Sequence, residues 1–155
     1  MSTATTWQIT TDSSDATEAF GAELGSRLKG GEVIELRSDL GGGKTTLVRG
    51  VARGAGSSDT VASPSFTISR EYRAGKLTIH HYDFYRLGEA GLMSQELADV
   101  LSDPQAVVIV EWADVVDDVL PDERTIIHIT AIGDESRQFD VTLPEAYTYL
   151  KGSEV

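Results

Sequence analysis

Apolar residues in this chain follow two periods, and each change of period marks an element. Trp7-Gln8-Ile9-Thr10 alternates as a short strand would. Asp12-Ser13-Ser14-Asp15 then offers helix caps, and Asp15 with Glu18 three residues on has the form of a capping box. Ala16, Phe20, Leu24 and Leu28 recur every four residues, which predicts a helix with one apolar face, ended by Gly30-Gly31. Residues 32–37 read as a strand. A second helix spans about 45–53, with Leu47, Val48 and Val51 inward and Arg49 and Arg53 on another side, and Gly54 and Gly56 stop it. Residues 66–72 and 77–83 alternate on either side of Arg73-Ala74-Gly75-Lys76, which predicts a β-hairpin. A helical pattern over 89–101, interrupted by Gly91, ends at Asp103-Pro104. Residues 106–110 form the longest apolar run, as expected of a central strand buried on both faces. A short acidic helix to Val119, strands over 125–131 and 137–143, and the turn Gly133-Asp134 complete the pattern, and residues 145–155 carry little signal.

The stretch between the strand at 32–37 and the helix from Thr45 gives these elements a purpose. Ser38-Asp39-Leu40-Gly41-Gly42-Gly43-Lys44-Thr45-Thr46 is a glycine-rich turn followed by Lys-Thr, the arrangement of a P-loop. Glycines let successive backbone N–H groups curl toward phosphate oxygens, and the helix start adds unpaired donors and the positive end of its dipole. Lys44 would reach the β- and γ-phosphates, and the Thr45 hydroxyl would ligate Mg²⁺. Ser38 stands where the strict pattern has its first glycine. Asp39 places a carboxylate inside the loop, where it would weaken resting affinity for a triphosphate or position water. The hairpin after the P-loop helix predicts a mixed parallel and antiparallel sheet flanked by helices. The expected fold is a single-domain α/β P-loop NTPase over residues 1–155, with its core at about 14–143 and a C-terminal tail over 145–155.

Charge narrows the partners. Thirteen basic residues against twenty-five acidic ones give a net charge of −12, so no domain-wide positive field exists to attract a polyanion. Nucleic acid would be held by a partner, whereas a P-loop neutralises phosphate locally. The absence of Cys excludes disulfides and thiolate metal sites, and no apolar run approaches a membrane span. A cytoplasmic protein is expected.

Mg-nucleotide chemistry also needs carboxylates at strand ends beside the P-loop strand. Asp83 and Glu111 end two predicted strands and are the candidates. His80 and His81 face opposite ways and read as structural or surface residues, and with only His128 besides, a zinc centre is not expected. Arg49, Arg53, Arg70, Arg73 and Arg86 are the candidate stabilisers of phosphate charge.

Five motifs in order carry a resemblance: 39–50 around Gly43-Lys44-Thr45-Thr46, Ser63-Pro64-Ser65-Phe66-Thr67, His81-Tyr82-Asp83-Phe84-Tyr85-Arg86-Leu87, Val110-Glu111-Trp112 and Leu120-Pro121. Over about residues 14–143 the chain resembles the TsaE family, bacterial P-loop ATPases of tRNA threonylcarbamoyladenosine synthesis. The resemblance implies a mixed-sheet P-loop fold, binding of ATP with Mg²⁺, and slow ATP hydrolysis that resets or licenses the TsaB–TsaD pair. TsaB–TsaD, not the TsaE-like protein, transfers threonylcarbamoyl to the adenosine beside the anticodon, so tRNA is met only through the partners. By position it gives Lys44 to phosphate, Thr45, Asp83 and Glu111 to Mg²⁺, and Lys44, Asp83 and Glu111 to catalysis. Asp39, Leu40, Gly41, Gly42, Gly43, Lys44, Thr45, Thr46, Ser65 and Trp112 would contact the nucleotide. Residues 63–67 match a switch-like loop, with Ser65 where the family commonly has Thr, and 88–101 lack the family's Leu-Gly pattern.

A small-molecule P-loop kinase, a GTP-dependent switch and an adaptor with an inactive P-loop are the alternatives. A kinase needs a lid and acceptor pocket, for which the hairpin and single helix between P-loop and Glu111 leave little chain. A guanine site normally uses Asn-Lys-x-Asp, and the sequence contains no Asn. Retention of Lys44, Thr45, Asp83 and Glu111 argues against an inactive loop.

Overall fold

In the computed structural model, which describes residues 5–38, 43–62, 68–85, 91 and 93–151, the alternating segments form seven strands. They are β1 (Thr5–Thr11), β2 (Val33–Arg37), β3 (Ser69–Ala74), β4 (Leu77–Asp83), β5 (Ala106–Glu111), β6 (Thr125–Ala131) and β7 (Arg137–Leu143). The helices are α1 (Ser14–Ser26), α2 (Lys44–Gly54) and α3 (Met93–Leu101), with 3-10 helices at Ala113–Val116 and Glu145–Lys151. The strands make one mixed sheet in the order β1-β7-β6-β2-β5-β4-β3. β2 lies parallel to β5 and β6, and β4 is parallel to β5, whereas β3, β7 and β1 join antiparallel. The hairpin and mixed sheet expected from the sequence are both present.

Strand alternation divides the core in two. Ile34, Leu36, Ile79, Val107, Ile109 and Ile127 face α1 and α2. Val33, Tyr82, Val108 and Val110 face α3 and the first 3-10 helix. β5 is buried at every position, as its unbroken apolar run predicts for a central parallel strand.

α1 and α2 pack through reciprocal glycines. A Cβ at Gly21 or Gly25 would lie 2.4 or 2.0 Å from a backbone carbonyl oxygen of α2, and one at Gly50 or Gly54 would lie 2.1 or 2.0 Å from one of α1. Larger residues would separate the helix axes. Glu18 reinforces the contact by pairing with Arg53, and Arg49 stands 4.0 Å from it.

Three local expectations are corrected. Ser13, not Asp15, caps α1: its hydroxyl accepts the Ala16 amide at 3.0 Å, Asp15 falls in the first turn, and Glu18 is engaged by arginine. The buried face of α1 is Thr17, Phe20, Gly21, Leu24 and Gly25, and the helix closes at Arg27 before Gly30-Gly31. Residues 145–151 are ordered rather than a featureless tail. Tyr147 Oη donates to the Gly31 carbonyl at 3.2 Å, Tyr149 Oη donates to Glu32, and Arg27 donates to the Leu150 carbonyl at 3.2 Å. The third helix is described from Met93, and the expected start at Glu89 lies outside the described residues.

Candidate functional site

Strand register builds the site. In the parallel pairing of β4 with β5, Asp83 stands opposite Glu111, and in that of β2 with β5, Leu36 stands opposite Glu111. Both acids therefore emerge at the carboxyl ends of adjacent strands, beside the strand that leads into α2. Asp83 and Glu111 are 4% and 3% exposed.

α2 begins at Lys44, capped by Gly43 with φ 95°, a left-handed conformation that glycine adopts without a Cβ penalty. No side chain closes the cap, so the first N–H groups of the helix keep their capacity to bind an anion. Lys44 is buried at the helix head. Its Nζ donates to Ser38 Oγ at 3.2 Å, lies 3.8 Å from Glu111 Oε1, and sits 5.6 Å from the Trp112 ring centroid. The serine that breaks the strict P-loop pattern is thus a partner of the P-loop lysine.

Glu111 Oε2 is held from the other side by His81 Nε2 at 2.5 Å. Asp83 Oδ1 accepts the Tyr85 amide at 2.9 Å, and the Asp83 amide donates to the Ile68 carbonyl at 2.8 Å. Trp112 has left-handed backbone torsions (φ 55°, ψ 57°) that turn the chain out of β5 into the 3-10 helix. Its ring meets Tyr85 at 4.9 Å, and its buried Nε1 has no hydrogen-bond partner among the described residues. A cavity of about 170 Å³ opens here, lined by Lys44, Ser38, Arg37, Trp112, Ala113 and Asp114.

The structure brings together Lys44, Glu111 and Trp112, with Asp83 in register beside Glu111, while Gly43, Thr45 and Thr46 flank Lys44 at the start of α2. Asp39, Leu40, Gly41, Gly42 and Ser65 lie outside the described residues, as does Arg86. Of the other candidate arginines, Arg49 and Arg53 serve Glu18, while Arg70 and Arg73 are exposed on β3 at the sheet edge. Sequence reasoning missed Arg137. From the start of β7 it donates to the Gly133 and Ser136 carbonyls, and a Cβ at Gly43 would lie 3.2 Å from its Nε. No motif marks it, because pairing across the sheet alone brings it to the α2 start.

Whether this site suits Mg²⁺ turns on its donors. Two buried carboxylates and the Thr45 hydroxyl are hard oxygen donors, and one of the carboxylates, Glu111, faces the lysine. Such a set suits Mg²⁺, which takes few protein oxygens and completes its shell with phosphate and water. Among the described residues no group of three or more His, Cys, Asp or Glu side chains is placed to hold a metal.

A central parallel strand, a lysine at the head of the following helix and acids at the neighbouring strand ends define an α/β protein of the P-loop NTPase fold. The chain belongs to the TsaE family: the family model described as "Threonylcarbamoyl adenosine biosynthesis protein TsaE" matches residues 11–139. A curated tRNA threonylcarbamoyladenosine biosynthesis protein TsaE from Bacillus subtilis is 39% identical over 129 residues, covering 83% of this chain and 80% of the relative. That of Streptomyces coelicolor is 36% identical over 130 residues, 79% of this chain and 87% of the relative. A crystal structure of Bacillus subtilis YdiB superposes with a TM-score of 0.76 at 35% identity, covering 97% of this chain and 93% of that one.

Proposed function

We propose that this chain is an ATP-binding, Mg²⁺-dependent, slow ATPase that supports the TsaB–TsaD complex in threonylcarbamoyl modification of the tRNA adenosine beside the anticodon. The observation that carries the reading is Lys44 at the open head of α2, 3.8 Å from Glu111, with Asp83 in register beside it. Family membership supports the pathway, and the net charge of −12 favours meeting tRNA through partners rather than directly. Work in the cytoplasm is part of the same proposal.

In this reading Lys44 binds the β- and γ-phosphates, and the α2 amides take the remaining phosphate oxygens. Thr45, Asp83 and Glu111 hold Mg²⁺, and Trp112, packed against Tyr85, walls the cavity. Mg²⁺, when bound, supplies neutralisation of charge on the phosphate oxygens. Asp83 and Glu111, buried at the strand ends, orient what enters.

The test is ATP hydrolysis by the purified chain, alone and with TsaB–TsaD, with GTP as control. Slow ATP turnover that changes when the partners are added is the expected result, with Lys44→Ala reducing it by about 100-fold. Partner-independent turnover, or preference for GTP, would redirect the reading to a kinase or a switch.

A further inference from the structure

We propose that His81 is a positioning residue that fixes the carboxylate of Glu111 for Mg²⁺, an inference that rests on the nucleotide reading above. His81 is fully buried on β4, on the sheet face that packs against α2, beside Ile79 and Ile109. An aliphatic side chain would fill that place with no polar cost, whereas a buried imidazole needs partners. The imidazole has one: Nε2 lies 2.5 Å from Glu111 Oε2, while Nδ1 has no partner among the described residues. A carboxylate oxygen accepts, so the ring proton sits on Nε2 and points at Glu111. Tyr72 packs against the ring with centroids 6.4 Å apart, and its own hydroxyl is anchored to the Ala62 carbonyl at 3.0 Å. The imidazole is therefore held in place by its surroundings and transmits that order to Glu111.

The two oxygens of Glu111 consequently face different groups. Oε2 is tied to His81 behind the site, and Oε1 is directed toward Lys44 at the α2 head. A carboxylate held by one oxygen presents the other in a fixed direction, which is what a cation needs from a ligand that must not rotate. His80, its neighbour, takes no part: it lies on the opposite sheet face, 3.5 Å from Glu71.

The experiment measures ADP binding by the full chain by calorimetry over a range of Mg²⁺ concentrations. It uses wild type, His81→Leu, His81→Gln and Glu111→Gln, together with the His81→Leu/Glu111→Gln double variant. His81→Leu should raise the half-saturating Mg²⁺ about tenfold, and His81→Gln, whose amide can stand near the Nε2 position, should return it to within about twofold of wild type. In the Glu111→Gln background His81→Leu should add nothing further, because the group it positions is already changed. An unchanged Mg²⁺ requirement in a folded His81→Leu, a glutamine defect as large as the leucine one, or simple additivity overturns the proposal. If His81→Leu does not fold, His81→Gln against His81→Asn decides: the shorter amide must lose Mg²⁺ affinity while the longer keeps it, and equal affinities overturn the idea. Wild-type binding of ADP that responds to Mg²⁺ but not to these variants refutes His81 alone. Absence of nucleotide binding in wild type removes the nucleotide reading itself.

Discussion

Glu35 is one position away from the P-loop strand's inward-facing Leu36, yet its side chain turns to the other sheet face and stays charged. Arg37 Nε lies 2.7 Å from its carboxylate and Arg124 Nε 2.9 Å, while Arg124 also reaches Asp117 at 2.7 Å. Burial pushes the Glu35 carboxyl up, but the hydrogen bonds and charges of Arg37 and Arg124 together outweigh it and hold the group below its usual 4.5. A depressed carboxylate contributes stability above its unfolded value and loses it as pH falls through the lower folded one. Arg124→Met should therefore cost about 1.5 kcal/mol near neutrality, since it removes one of two charged partners and leaves Glu35 held by Arg37 alone. The loss should shrink in urea melts as pH falls through 4.5 and below, where the charge that Arg124 stabilises is lost. Residues of this kind were partly legible. Lys44, Asp83 and Glu111 could be named from motif chemistry, because a strand end or a P-loop fixes where they go. Ser38, His81 and Arg137 could not, because each gains its role from a neighbour six to over ninety residues away.

The α1–α2 contact makes the sharpest case at the level of elements. Gly21, Gly25, Gly50 and Gly54 look like helix weakeners in sequence, and Gly54 reads as a stop signal, yet they let two helices meet backbone to backbone. Helix propensity alone predicts that Gly50→Ala stabilises the chain by about 1 kcal/mol. The contact predicts the opposite sign: a Cβ 2.1 Å from the Glu18 carbonyl oxygen should destabilise by about 2 kcal/mol or more. The sign of the shift in urea unfolding of Gly50→Ala separates the two accounts. The strands were legible because alternation marks half-buried surface, and β6 and β7 fall at the residues expected. The α1 face was legible at Phe20 and Leu24 but not at Gly21 and Gly25, because buried glycines carry no hydrophobic signal.

Across the whole molecule, mixed topology follows from the hairpin, while strand order is invisible to any local pattern. The final 3-10 helix was hidden for the same reason: Tyr147 and Tyr149 act on residues more than a hundred positions earlier. Glu32, fully buried, accepts the Lys29 and Gly30 amides at 2.7 and 2.8 Å and the Tyr149 hydroxyl. Burial and the Glu32 carboxylate keep the Tyr149 phenol neutral well above its usual range. Tyr149→Phe should cost about 1.5 kcal/mol in urea unfolding while leaving the two amide bonds to Glu32 intact.

The sheet order also has a consequence for synthesis. β2, which precedes the glycine-rich stretch, pairs with β5 and β6, strands made some seventy-five and ninety residues later. A nascent chain released through its first hundred residues would hold the loop sequence but neither neighbour of its strand, and Glu111 would still be unmade. Long-range pairing of this kind forms slowly because ordering precedes reward. On the ribosome, the proposed phosphate-binding capacity should arrive abruptly and late, once residues near His128 have emerged, rather than growing with chain length.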